Sequence, residues 1–331
     1  MSKKILITGG AGFIGMHLTN KLLQEGYQVD LVDNFKRAVD DQTLQQILDH
    51  ERVNFFNLDL LEKDATKVLS KDYDAIFHLA AIIGVVHVLE RPYEVLYDNI
   101  ELLSNLIDLA KKQKNLSRFL FASTSEVYAG TLENFKLEIP TPENSPLSLS
   151  DLRHPRSSYM LSKIYGEALC HHSKIPYTIF RPHNLYGPRM GMAHIIPEQL
   201  FKAYKKEDGD KIDVYSTDHT RSFCYIDDAT EMLIRIMQEK DCEGETLNIG
   251  SQGPEITIKE VAELCYKTVG RKLDIQSKPA TQGSPARRNP DMSNVKELIN
   301  YQATTSLENG INQTYSWYKK YVFDNSGLTA L

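Results

Sequence analysis

The stretch TGGAGFIG, Thr8–Gly15, decides the fold of this chain. It follows the short apolar run KILIT and opens the amphipathic run IGMHLTNKLLQEG, which is the order strand, turn and helix. Gly9, Gly12 and Gly15 permit a tight turn, close approach of the backbone to a pyrophosphate, and close packing of the following helix. The N-terminus of that helix would face the phosphates. The stretch therefore predicts a dinucleotide-binding turn.

Two aspartates follow, each at the end of a predicted strand. Asp33 closes QVDLVD, where its carboxylate can bind a ribose diol and would repel a 2′-phosphate, so it favours NAD over NADP. Two nearby cations, Lys36 and Arg37, leave NADP as an alternative cofactor. Asp59, in NLDL, is placed to meet the adenine edge, although a turn or helix cap would explain it equally well.

Short apolar runs alternate with longer amphipathic ones through the first half of the chain. Continuous apolar strands separated by helices predict an α/β fold with a doubly wound parallel sheet of the Rossmann type. One of these helices should run from Pro92 to about Lys114, and the apolar region AIFHLAAIIGVVHVL from Ala75 is interpreted as a strand and a loop.

The alternation loosens after Ile179, but DDATEMLIRIMQE and TLNIG indicate a later return to the sheet. We therefore expect a smaller, interleaved C-terminal substrate lobe. The expected division assigns residues 1–178 and 225–250 to the dinucleotide-binding domain, and residues 179–224 and 251–331 to the substrate lobe.

Composition excludes several other classes of protein. The chain has 331 residues and a net charge of -6, without a basic block, so nucleic acid and anionic membranes are not expected partners. No apolar run is long enough to span a bilayer and no signal-peptide core follows the N-terminus, which predicts a cytoplasmic protein. The four cysteines are scattered, so neither a disulfide framework nor a metal site is expected.

A tyrosine and a lysine stand four residues apart in RSSYMLSKIYGEA, a predicted helix. This spacing puts Tyr159 and Lys163 on one helical face, where an ammonium would lower the pKa of the phenol from about 10. The tyrosine would then take a proton from a hydroxyl. Taken alone, the pair also fits ordinary helix packing.

Seven segments together resemble the extended short-chain dehydrogenase/reductase family, in particular its nucleotide-sugar epimerases, dehydratases and decarboxylases. They are TGGAGFIG, HLAA, STSEVYAG, Tyr159-x-x-x-Lys163, RPHNLYGPR, TRSFCYIDD and ARRNPDM. The resemblance implies that the tyrosine removes the C4 hydroxyl proton of a UDP- or GDP-linked sugar while NAD accepts the C4 hydride. It also implies that the lysine holds the nicotinamide ribose, and that a homodimer forms through helices Pro92–Lys114 and Ser157–Ser173.

The resemblance also implies the remaining site residues. Thr124, Ser125 and Glu126 should reach the cleft at the end of the fifth strand, with Thr124 bonded to the C4 oxygen. Asn184, Arg221 and Arg288 match positions that contact the diphosphate and sugar, although Arg287 or Arg288 would also suit a sugar carboxylate. His194 lies near the expected base pocket, and His183 stands where relatives often have an aromatic residue. The predicted cofactor contacts are Gly9, Gly12, Phe13, Ile14, Gly15, Asp33, Asn34, Asp59, Leu60, Leu79, Ala80, Ala81, Tyr159 and Lys163.

The reaction after C4 oxidation stays open at this point. Epimerisation is the first expectation, and decarboxylation of UDP-glucuronate or release of the 4-keto sugar are the alternatives. Thr-Ser-Glu at 124–126 resembles UDP-glucuronate decarboxylases, and serine where 4,6-dehydratases carry an acid argues against loss of water. A non-catalytic NAD sensor would be expected to lack the tyrosine or the lysine.

Overall fold

The computed structural model describes residues 3–149, 151–280 and 285–325. Its strands are β1 (Lys4–Thr8), β2 (Gln28–Asp33), β3 (Val53–Asn57), β4 (Ala75–His78), β5 (Arg118–Ala122), β6 (Tyr177–Pro182), β7 (Leu185–Tyr186), β8 (Lys211–Tyr215), β9 (Thr220–Arg221), β10 (Cys224–Tyr225), β11 (Thr246–Ile249), β12 (Ile256–Thr257), β13 (Asp274–Lys278) and β14 (Arg287–Arg288). Its α-helices are α1 (Phe13–Gln24), α2 (Gln42–Leu48), α3 (Val85–Glu90), α4 (Pro92–Ala110), α5 (Ala129–Asn134), α6 (Arg156–His172), α7 (Ile195–Tyr204), α8 (Ile226–Gln238), α9 (Ile258–Val269), α10 (Ser293–Ile299) and α11 (Leu307–Tyr318).

A seven-stranded parallel sheet forms the centre of the molecule, in the order β11-β6-β5-β4-β1-β2-β3. Helices cover both faces of the sheet. Successive residues of β1 show this, because they belong to different hydrophobic clusters. Ile5 and Ile7 pack into the cluster on the face of α1 and α8, whereas Leu6 packs into the cluster on the face of α4 and α6. This is the predicted doubly wound Rossmann fold.

The second lobe is built from small sheets and helices inserted around the last two strands of the central sheet. β12, β9 and β14 form one sheet, β8 pairs with β13, and β7 pairs with β10. β11 returns to pair with β6 in the central sheet, which interleaves the two lobes. The boundary expected at residue 178 falls inside β6, because that strand continues to Pro182.

Most predicted elements form close to their expected positions, and one does not. The helix that begins at Pro92 ends at Ala110, and the tyrosine-bearing helix spans Arg156–His172. The region after β4 was expected to be only a loop, but it contains the six-residue helix α3. A short apolar run does not distinguish strand, loop and helix, and here Gly84 with φ of 106° starts a separate helical turn before Pro92.

Within the described ranges, no helix combines the length and apolar character needed to cross a membrane. The same residues contain no cluster of three or more His, Cys, Asp or Glu side chains arranged to hold a metal ion.

Candidate active site

The glycine-rich turn between β1 and α1 is tightly packed. Gly9 has φ of +69°, and a Cβ on this residue would lie 2.8 Å from the amide nitrogen of Ala80. A Cβ on Gly15 would lie 2.6 Å from the carbonyl oxygen of Gly9, so α1 packs against the turn as expected. Phe13 and Ile14 begin α1, which leaves the helix N-terminus at this turn.

Asp33 is tied to the glycine-rich turn. Its carboxylate accepts hydrogen bonds from the Ala11 amide at 3.1 Å and from the Phe35 amide at 3.0 Å. Burial raises the pKa of Asp33, while these amides and Arg189 act in the opposite direction. The carboxylate therefore lies beside the turn, where a dinucleotide ribose would bind.

The two cations after β2 have separate electrostatic partners. The ammonium of Lys36 contacts the carboxylate of Asp59 at 2.7 Å. Burial lowers the pKa of the Arg37 guanidinium, and Tyr159 and Asp33 raise it, so Arg37 lies near both the Asp33 carboxylate and the tyrosine. Asn34 accepts a hydrogen bond from the Lys36 amide at 3.1 Å.

The other predicted cofactor contacts line the same edge of the sheet. Leu79 and Ala80 follow β4, with the Leu79 amide donating to the Thr8 carbonyl at 3.1 Å. Asn99, on α4, holds the next part of this loop through both backbone groups of Ile82. The half-buried residue Ala81 lies between these two anchors, and Leu60 is buried after β3.

Tyr159 and Lys163 come together on α6. Lys163 is only 4% exposed, donates to the Ala122 carbonyl at 2.8 Å, and places its ammonium 5.8 Å from the centre of the tyrosine ring. Burial lowers the pKa of Lys163 to about 8.

The expected lowering of the tyrosine pKa is wrong for the chain alone. Burial and the charge of Glu126 raise the pKa of Tyr159, and a hydrogen bond with Thr124 and the charge of Arg37 only partly oppose them. The surroundings of Tyr159 in the chain alone therefore favour the protonated phenol.

The carboxyl end of β5 delivers Thr124, Ser125 and Glu126 to this cleft. The Thr124 hydroxyl accepts a hydrogen bond from the Glu126 amide at 3.2 Å and caps a short 3-10 turn. Ser125 is buried and lines a pocket with Arg288. Glu126 acts electrostatically on both Tyr159 and Arg288, so its carboxylate lies near a phenol and a guanidinium.

The tandem arginines of ARRNPDM point to different partners. Arg287 forms a two-point ion pair with Glu255, at 2.6 and 3.0 Å. Arg288 instead lies among Ser125 and Glu126, and burial followed by Arg156 lowers its pKa while Glu126 raises it. Both arginines line the pocket that contains Ser125, but the guanidinium of Arg287 is already paired with Glu255.

The other predicted substrate residues lie on the second lobe. Arg221 is 7% exposed and donates to the carbonyls of Thr220, Pro285 and Ala286, while burial and Arg288 lower its pKa to about 9. Asn184 and His194 line one pocket of about 310 Å³. The Asn184 side-chain amide donates to the carbonyl of Ser222, the residue after Arg221, at 2.9 Å, which links the two sets.

A buried ion pair beneath the cleft escaped the sequence reasoning. The carboxylate of Glu167, on α6, accepts hydrogen bonds from Arg181 at 2.6 and 2.9 Å and from Ser123 at 2.5 Å. Arg181 also donates to the Tyr128 hydroxyl at 2.6 Å. A charged residue inside the apolar strand YTIFRP is the signal that could have revealed it.

A second buried arginine connects the lobes. Arg189 donates to the Asp41 carboxylate at 2.6 Å, to the Ala11 carbonyl at 2.6 Å and to the Val39 carbonyl. Since Ala11 also donates to Asp33, the second lobe helps to fix the glycine-rich turn.

These features fit a dinucleotide. Gly15 leaves the turn no room for a side chain, and Asp33 lies beside the turn. Arg37 lies near both Asp33 and Tyr159, which connects the turn to the tyrosine helix. The fold and the glycine-rich turn are those of a dinucleotide-binding enzyme. The chain belongs to the NAD dependent epimerase/dehydratase family, whose sequence model matches residues 5–250. The predicted family and the predicted NAD cofactor are thereby confirmed.

Similar proteins act on UDP-linked sugars. A UDP-N-acetyl-alpha-D-glucosaminuronate decarboxylase of Bacillus cytotoxicus is 33% identical, over 97% of this chain and 99% of its own. UDP-glucuronic acid decarboxylase 1 of Xenopus tropicalis is 31% identical, over 96% of this chain and 72% of its own. The structure of a UDP-glucuronic acid 4-epimerase from Bacillus cereus with UDP-glucuronic acid and NAD superimposes with a TM-score of 0.80 and 28% identity, over 96% and 99% of the two chains.

Proposed function

We propose that this protein is an NAD-dependent decarboxylase of a UDP-linked hexuronate. The observation that carries the proposal is the position of Glu126, whose charge acts on Tyr159 and on Arg288. An acid, a base and a fixed cation thus converge on one cleft, which plain C4 epimerisation does not need. The names of the similar decarboxylases support the same substrate class.

The first step is oxidation at C4. Tyr159 accepts the C4 hydroxyl proton, and the Thr124 hydroxyl hydrogen-bonds to the C4 oxygen. NAD, when bound, takes the C4 hydride and later returns it. Lys163 would hold the nicotinamide ribose, and Arg288 would pair with an anionic group of the substrate.

The second step breaks the bond between C5 and the carboxylate. The 4-keto sugar is a β-keto acid, so the electron pair left at C5 by departing carbon dioxide delocalises to the C4 oxygen as an enolate. Hydrogen bonds from Tyr159 and Thr124 stabilise that oxygen. Glu126 would take up a proton from solvent and pass it to C5, so the reaction consumes one proton for each carbon dioxide released. The whole reaction is redox-neutral, because the hydride removed from C4 would return to C4.

A C4 epimerase acting on the same hexuronate is the second candidate. The Bacillus cereus epimerase structure, solved with UDP-glucuronic acid and NAD, favours it. Epimerisation was the first expectation from sequence alone, and the position of Glu126 is the reason for the change of order. The two reactions differ in product mass, because only decarboxylation loses carbon dioxide.

Three further properties belong to the proposal. The names of the similar proteins favour UDP over GDP as the nucleotide. The exposed, stacked rings of Tyr93 and Tyr97 on α4 support a homodimer through α4 and α6. The cytoplasm remains the expected compartment.

The test is product analysis with UDP-glucuronate, its 2-acetamido counterpart and UDP-glucose, each with NAD. Carbon dioxide and a UDP-pentose-type product from either uronate are expected, and none from UDP-glucose. Glu126→Gln should lower carbon dioxide release roughly 10²- to 10⁴-fold, the range for a positioned acid. Glu133→Gln, at an exposed glutamate on α5, is the matched control. A product of unchanged mass would reject the decarboxylase in favour of the epimerase.

A further inference from the structure

Arg189 belongs to the second lobe, but its side chain is buried against the dinucleotide-binding half of the molecule. It follows β7 and has a backbone φ of +68°, a left-handed conformation that costs free energy in a residue other than glycine. Such a conformation persists only where surrounding contacts stabilise it. The side chain is 2% exposed, so these contacts lie inside the protein.

The guanidinium of Arg189 joins two segments on the adenosine side of the expected dinucleotide groove. It donates to the carbonyl of Ala11 at 2.6 Å, inside the glycine-rich turn. It also donates to the segment after β2, at the carbonyl of Val39 and at the carboxylate of Asp41, the latter at 2.6 Å. Asp41 in turn caps α2 by accepting a hydrogen bond from the Leu44 amide at 2.9 Å. One planar group therefore fixes the turn relative to that segment.

Ala11 connects the guanidinium to Asp33. Its carbonyl oxygen accepts from Arg189, and its amide donates to Oδ2 of Asp33 at 3.1 Å. The other carboxylate oxygen accepts from the Phe35 amide at 3.0 Å. Burial raises the pKa of Asp33, whereas backbone amides and then the charge of Arg189 lower it. Arg189 therefore favours both the orientation and the ionised state of this carboxylate.

The position and charge of Asp33 decide which dinucleotide fits. A fixed carboxylate accepts hydrogen bonds from a ribose diol and repels a 2′-phosphate. We propose that Arg189 is a positioning residue for the Asp33 carboxylate, and through it a determinant of the preference for NAD over NADP. It acts from the second lobe through Ala11. This inference concerns the cofactor site, so it does not depend on which reaction follows C4 oxidation.

A residue that only connects the two lobes would give a different result. Its loss would weaken NAD and NADP by the same factor, since both dinucleotides carry the same adenine and diphosphate. Loss of a positioning residue would weaken NAD more than NADP, because a less fixed carboxylate also repels the 2′-phosphate less. The ratio of the two dissociation constants therefore separates the two roles.

The test titrates NAD and NADP calorimetrically into the wild-type protein and into Arg189→Lys. Lysine keeps a buried positive charge opposite Asp41, but its compact ammonium does not reproduce the three bonds of a planar guanidinium. We expect the NAD affinity to fall about tenfold and the NADP affinity by less than about threefold. Arg153→Lys, at a side chain that is 91% exposed, is the matched control and should leave both affinities unchanged.

Two variants at Asp41 keep the test decisive if the lysine variant does not fold, which circular dichroism checks. Asp41→Asn retains a capping side chain on α2 and leaves the bond between Arg189 and Ala11, so the preference for NAD should persist. Asp41→Asn combined with Arg189→Met leaves no buried ion unpaired, and should reduce the preference as Arg189→Lys does. Equal losses of NAD and NADP affinity in Arg189→Lys or in the double variant would overturn the inference. A preference already lost in Asp41→Asn, or absent from the wild-type protein, would overturn it as well.

Discussion

The buried ion pair of Glu167 and Arg181 should dominate the stability of the region under the active site. Both side chains are about 5% exposed, and the carboxylate receives three hydrogen bonds of 2.5 to 2.9 Å. Glu167→Gln removes the charge and leaves the guanidinium buried without its counter-ion. Breaking such a pair costs about 3–5 kcal/mol, which corresponds to a fall of about 4–7 °C in melting temperature for a chain of this length.

Thermal unfolding followed by circular dichroism measures this change. Glu263→Gln, in an exposed pair with Lys259 at 3.9 Å on α9, is the matched control and should shift the melting temperature by less than about 1 °C. Replacing both Glu167 and Arg181 by apolar residues should recover part of the loss, because no unpaired charge then remains. A shift for Glu167→Gln no larger than that of the control would refute the reasoning.

Four further predictions concern the cofactor, the base and the assembly. Asp33 should make NAD bind well above NADP in calorimetric titration, and equal affinities would show that Lys36 and Arg37 overrule it. Tyr159→Phe should lower turnover roughly 10²- to 10⁴-fold while circular dichroism stays unchanged, and near wild-type turnover would remove the tyrosine from the mechanism. NAD affinity should fall as pH rises through about 8, where the buried Lys163 ammonium loses its proton; Lys163→Met should flatten that profile. Light scattering should give a dimer, and Tyr97→Glu should shift it toward the monomer mass of 37.7 kDa; a wild-type monomer at micromolar concentration would contradict the interface.

Local sequence was sufficient to predict the glycine-rich turn and the two residues of the tyrosine helix. Each depends on spacing within one strand–turn–helix unit or along one helical face, and such spacing is visible in a single stretch. Arg189 and Asp41 are 148 positions apart, so no local pattern could join them. Glu167 has a local relation to Lys163, four residues earlier on α6, but its pairing with a strand arginine depends on how that helix lies against the sheet.

The tandem arginines show that local sequence can also fail to distinguish the partners of two adjacent residues. From sequence, either Arg287 or Arg288 suited a ligand. The structure separates them because they are consecutive in β14, and consecutive strand residues point to opposite sides. The side chain of Arg287 reaches Glu255, whereas that of Arg288 lies near Glu126. The different partners of the two arginines follow from this alternation and from the pairing of β14 with β9.

Glu126 connects the binding of substrate to the strength of the base. Its charge opposes ionisation of Tyr159, and it is also the charge that favours the protonated state of Arg288. Tyr159 and Arg288 therefore share one neighbouring carboxylate, and an anion bound beside Arg288 would change the electrostatic field that the phenol experiences.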